Sequence, residues 1–125
     1  MREKIDILLL DDEPDLSVMM ETILKHAGYN VQRCIDVECF HLVLATVEPS
    51  LLIMDMMLAG TDGKDLCKEL KANPETSHMK ILMISGHPDA DQHCRHAGAD
   101  DFLSKPFDMD QFTGKIAGVI NTTAA

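Results

Sequence analysis

Four apolar stretches of this chain each end at residues able to handle a charged group. Residues 5–10 run into Asp11-Asp12-Glu13, residues 51–54 into Asp55, residues 81–84 into Ser85, and Phe102-Leu103 into Ser104-Lys105-Pro106. A carboxylate can act as a nucleophile or hold a hard cation. A hydroxyl can donate a hydrogen bond to an anion, and a lysine carries a compact positive charge. Short apolar runs bounded by polar residues read as buried strands of a parallel sheet. Sites in such sheets form where the carboxyl ends of the strands meet. Acids, hydroxyl and lysine would then converge on one edge, a set suited to phosphoryl chemistry.

Each residue also has a plainer reading. Asp11, Asp12 and Glu13 could simply offset the positive end of the following helix. Lys105 could be a solvated surface lysine, and Ser85 a small residue closing a strand. Asp55 shifts the balance, because an adjacent strand would bring another carboxylate to the same edge. Crowded carboxylates raise one another's pKa unless a cation neutralises them, and Mg²⁺ is the natural hard ion for oxygen ligands.

The elements that must position these residues alternate between strand and helix five times, the pattern of an α/β domain. Pro14 stands where a first helical residue belongs. The stripe Leu16, Met20, Ile23, Ala27 has helical spacing and stops at Gly28. Residues 29–34 alternate and read as an edge strand, and Val37, Phe40, Leu44 and Val47 form a second helical stripe stopped before Pro49. Residues 59–63 read as a loop. Leu66, Cys67 and Leu70 mark a third helix closed by Asn73-Pro74. Residues 89–97 suggest a short polar helix ended by Gly98, and Met109, Phe112, Ile116 and Val119 mark a last one. The first, third and fourth strands are the most apolar, as central strands should be. That suits a doubly wound, five-stranded parallel sheet in the order 2-1-3-4-5. The order is matched to known flavodoxin-like sheets and is not dictated by the pattern.

Composition sets the outer limits. At 125 residues, 46% hydrophobic and 26% charged, the chain has the size and balance of one globular domain. Its net charge of −10 argues against direct nucleic-acid binding. No apolar run is long enough for a membrane span, and no signal peptide precedes the first strand, so a cytoplasmic location is expected. Cys34, Cys39, Cys67 and Cys94 form no CxxC pair and read as reduced core fillers. The crowding of His87, His93, Cys94 and His96 suggests a metal site. Their irregular spacing on a short polar helix favours ordinary exposed histidines instead.

The segments ILLLDDEPD, LLIMDMMLAGTDG, ILMISG and GADDFLSKPFD together resemble the receiver domain of bacterial response regulators, over about residues 4–120. The resemblance implies a receiver over residues 1–121 with a tail at 122–125. It implies that Asp55 accepts a phosphoryl group from a sensor histidine kinase, a phosphotransfer protein or a small acyl phosphate. Asp12, Asp55 and the Met57 backbone carbonyl would hold Mg²⁺, with Asp11 acting through water. Lys105 would pair with the phosphoryl oxygens, Ser85 would bond one of them after transfer, and Phe102 would be the switch aromatic. A cis peptide bond would precede Pro106. The product would be a signal to a downstream effector protein or domain, or to a homodimer formed on phosphorylation. Such a protein is not an enzyme beyond its own phosphorylation and dephosphorylation. Two features depart from the family pattern. Ala59 replaces a usual proline, and Ser85 to Lys105 spans 20 positions, about two fewer than expected. The alternatives are a phosphorylation-independent receiver-like binding module, and a phosphatase using an aspartyl-phosphate. The second lacks its expected signature, since DDEPD follows the first strand.

Overall fold

The computed structural model describes residues 2–58 and 60–121; Ala59 and the tail at 122–125 lie outside the described residues. Five parallel strands form the central sheet: β1 (Glu3–Leu10), β2 (Val31–Cys34), β3 (Val47–Asp55), β4 (Lys80–Ser85) and β5 (Asp101–Ser104). Their order is β2-β1-β3-β4-β5, as expected. Helices α1 (Pro14–His26), α2 (Val37–Leu44), α3 (Gly63–Ala72), α4 (Ala90–His96) and α5 (Met109–Asn121) connect and flank them.

Strand alternation divides the core into two layers. Ile7, Leu9, Leu51, Ile53, Leu82 and Ile84 face one side, against Met20 and Leu24 of α1 and Phe112, Ile116 and Val119 of α5. Leu8, Leu10, Leu52, Met54, Ile81 and Met83 face the other, against Phe40, Leu66, Cys67, Leu70, Ala90 and Cys94 from α2, α3 and α4. Burial on both faces explains why the central strands read as unbroken apolar runs. Burying one such side chain contributes about 2 kcal/mol, so the sheet's position is strongly fixed.

The helix ends follow local chemistry. Pro14 opens α1, the Asp36 carboxylate caps α2 by accepting from the Cys39 N–H, and Asp62 caps α3 by accepting from the Lys64 N–H. The second stripe ends sooner than its spacing predicts. Helix α2 stops at Leu44, and Val47 is already in β3, paired with Glu3. Pro49 lies inside β3 opposite Ile5, where the strand has β1 beside it but has not yet reached β4, whose pairing begins at Leu51. A proline is tolerated there because no ladder donor is needed on the open side. The segment after β3 is also more ordered than a loop. Met57-Leu58 pair with Thr61-Asp62 in a two-residue antiparallel ladder, and Gly60 takes a positive φ of 75° in its turn.

Among the described residues, no helix is long and apolar enough to cross a membrane. All four cysteines are free thiols. Burial pushes Cys34 up to about 12 and Cys67 and Cys94 up to about 11, which makes them poor nucleophiles.

Candidate functional site

Register brings the polar strand ends together. The last paired rows are Leu10↔Met54, Asp55↔Ile84 and Ser85↔Ser104. Asp11, Asp55, Ser85 and Lys105 therefore emerge side by side at the carboxyl edge of β1, β3, β4 and β5, where such sheets form sites.

Asp55 is 7% exposed and is held from two directions. Its Oδ1 accepts from the Met57 N–H at 2.9 Å, and its Oδ2 accepts from Lys105 Nζ at 2.6 Å. Behind it, the Met56 N–H donates to the Ile84 carbonyl, and the Gly63 N–H donates to the Met56 carbonyl at 2.8 Å. A Cβ at Gly63 would stand 2.6 Å from the Asp55 carbonyl oxygen, so only glycine lets α3 start so close to this strand. The loop reading of residues 59–63 did not reveal that close approach.

Asp11 is 3% exposed, and its Oδ1 accepts from the Glu13 N–H at 2.8 Å. Burial raises its carboxyl to about 6; the Asp55 charge adds to the rise, against the Glu13 N–H and Lys105, which lower it. Lys105 is shifted upward too. Burial works against its charge but is outweighed by the hydrogen bond and charge of Asp55, with Glu13 and Asp11 contributing. Glu13 Oε1 lies 3.5 Å from Lys105 Nζ.

Carboxylate oxygens of Asp11, Glu13 and Asp55 all lie within 4.8 Å of one another, the sole such group of three metal-type side chains among the described residues. Three carboxylates against one ammonium leave a net charge of −2 on hard oxygen donors. That donor set fits Mg²⁺. Glu13 belongs to this group although the sequence reading placed it only among the acids at the helix start and not among the metal ligands. Asp12 is half-buried and outside the group. The signal for Glu13 was its place as the third of three consecutive acids.

Ser85 is buried, its hydroxyl accepts from the His87 N–H at 3.0 Å, and its carbonyl accepts from the Lys105 N–H at 2.9 Å. The Lys105–Pro106 peptide bond is cis. Phe102 is half-buried and packs against the core layer shared by α2, α3 and α4. Met57 is 64% exposed at the mouth of the site. His87, His93 and His96 are exposed, while Cys94 turns inward and donates to Met56 Sδ at 3.8 Å, so the thiol is not grouped with the imidazoles. The rings of His87 and His93 meet edge-on at 6.3 Å.

A doubly wound sheet carrying buried acids and a paired lysine at its carboxyl edge defines the receiver class of signalling domain. The chain belongs to that family: residues 7–117 match the response regulator receiver domain. It is 34% identical over 116 residues to the transcriptional regulatory protein GltR of Pseudomonas aeruginosa, covering 91% of this chain and 48% of that protein. Among solved structures it resembles a signal receiver domain of a response regulator from Bermanella marisrubri (30% identity, TM-score 0.85, 97% of this chain and 100% of that one). It also resembles the receiver domain of NtrX from Brucella abortus (29% identity, TM-score 0.85, 94% and 99%). The chain spans about half the length of the curated relatives it matches. Members of this family are phosphoryl-accepting modules of two-component signalling and not metabolic enzymes.

Proposed function

We propose that this receiver takes a phosphoryl group on Asp55 and relays it as a change of partner binding. The observation that carries the reading is the Asp55–Lys105 contact of 2.6 Å beside buried Asp11. Asp55 is the nucleophile: a bond forms between its carboxylate oxygen and phosphorus as the bond from phosphorus to a donor imidazole nitrogen or acyl oxygen breaks. Phosphoryl transfer asks little covalent help of a protein, mainly alignment and positive charge around the equatorial oxygens. Lys105 moves its hydrogen bond from Asp55 to a phosphoryl oxygen. Mg²⁺, when bound, supplies the remaining charge. Asp12, Asp55 and the Met57 carbonyl are the ligands we assign to it, with Asp11 acting through water.

After transfer, the Ser85 hydroxyl leaves the His87 N–H for a phosphoryl oxygen and Phe102 turns further inward. A sensor histidine kinase or phosphotransfer protein is the donor, and an effector protein, effector domain or second copy of the receiver is the reader. The setting is the cytoplasm.

Intact-protein mass spectrometry with acetyl phosphate and Mg²⁺ tests the assignment. The native chain should gain one phosphoryl group, and Asp55→Asn none. Equal labelling of Asp55→Asn would overturn the acceptor. No labelling of the native chain would favour a phosphorylation-independent binding module.

A further inference from the structure

Glu13 is exposed, yet it is tied into the site at two points. Its carboxylate shares the oxygen group with Asp11 and Asp55, and it stands 3.5 Å from Lys105 Nζ, which also holds Asp55 at 2.6 Å. Both cations of the proposed reaction, the lysine and the divalent ion, therefore see this carboxylate. The incoming phosphoryl dianion sees it as well, with the opposite sign. We propose that Glu13 is a rim carboxylate that strengthens divalent-cation binding while slowing phosphoryl transfer to Asp55. The proposal rests on the phosphoacceptor reading above.

The two effects have one electrostatic origin. A negative charge beside Asp11 and Asp55 deepens the potential that attracts a divalent cation. The same charge repels an anionic phosphodonor and gives Lys105 a carboxylate partner to leave before it can bind a phosphoryl oxygen. A unit charge about 5 Å away in a water-like dielectric changes a binding constant roughly fourfold. A divalent ion would feel twice that interaction, but exposure and salt reduce it, so roughly fourfold is the expected scale.

Glu13→Gln keeps the shape and removes the charge, and Glu13→Asp keeps the charge on a shorter arm. Mg²⁺ affinity is measured by calorimetry on the unphosphorylated proteins, and the acetyl phosphate labelling rate at saturating Mg²⁺. In Glu13→Gln the affinity should fall about fourfold while the rate rises about twofold or more. Glu13→Asp should stay closer to the native protein than Glu13→Gln in both. A purely structural role would lower affinity and rate together, and that result would overturn the proposal. So would a Glu13→Gln protein with unchanged Mg²⁺ affinity and a native chain that binds normally. A native chain that neither binds Mg²⁺ nor labels would bring down the phosphoacceptor reading itself, and this inference with it.

Discussion

Helices α1 and α5 run 13 residues each and cover one side of the sheet with Met20, Leu24, Phe112, Ile116 and Val119. Phe112 is fully buried and stacks on Phe107 at 5.4 Å. On the opposite side, α4 has seven residues and is anchored by Ala90 and Cys94, with Ala97 at its end. The first pair buries large side chains; the second helix buries two small ones and a thiol. Packing free energy scales with buried apolar area, so α4 is held much more weakly than α1 or α5. Yet α4 is joined to Ser85 only by the short segment 86–89, and it touches Met56, the neighbour of Asp55, through Cys94. The difference teaches where this receiver can move. Its α1/α5 side should act as a fixed frame, and α4 should be the part that a change at Asp55 rearranges at small cost.

The sharpest way to break that comparison is to truncate one anchor on each side. Phe112→Ala should cost about 3–5 kcal/mol in urea unfolding, and Cys94→Ala about 1 kcal/mol. Similar losses in the two variants would mean that α4 is braced as firmly as α5.

The site edge differs from both sides because it spends stability on charge. Asp11 is raised from 3.8 to about 6 in the folded chain. Its contribution to stability is therefore fully present below about pH 4 and lost as the pH rises through about 6. Without Mg²⁺ near neutral pH, Asp11→Asn should be more stable than the native chain by about 1–3 kcal/mol, and the gain should shrink as the pH falls through that range. Mg²⁺ should reverse the ranking, raising the native melting midpoint far more than that of Asp11→Asn or Asp12→Ala. This Mg²⁺ effect should fade as the pH drops through about 6, since protons compete for the carboxylate. Equal Mg²⁺ shifts in all three proteins would move the cation elsewhere.

The smallest effect concerns how long the phosphorylated state lasts. Met57 is exposed beside Asp55 and offers water neither a strong donor nor a strong acceptor. Replacing it with Asn should let water be oriented toward phosphorus. Label loss from purified phosphoprotein should accelerate about threefold, or about 0.65 kcal/mol of barrier. Unchanged decay in Met57→Asn would show that this position does not control the water.

Much of this arrangement was legible because the central strands announce themselves. Ile7, Leu9, Leu51 and Ile53 belong to runs buried on both faces, and Asp11 and Asp55, the acids that follow those runs, belong to the candidate site. The strand order was matched to known flavodoxin-like sheets, because the apolar pattern alone does not determine it. Val47 was harder: it continues the spacing of Val37, Phe40 and Leu44, and only its pairing with Glu3 assigns it to β3. Pro49 gave a stop signal in sequence but sits where β3 still lacks its second neighbour. The role of Gly63 depends on how close α3 comes to the Asp55 carbonyl, a tertiary distance with no local signature. Glu13 was visible as an acid, but its approach to Lys105 needed β1 and β5 at one edge.

Amide hydrogen exchange with and without acetyl phosphate, in Mg²⁺, tests the central claim most directly. Peptides spanning residues 86–99 should change protection on phosphorylation, while those covering the buried faces of α1 and α5 should stay within error. The change should vanish in Asp55→Asn. Exchange that changes in α1 and α5 but not in residues 86–99 would contradict the account.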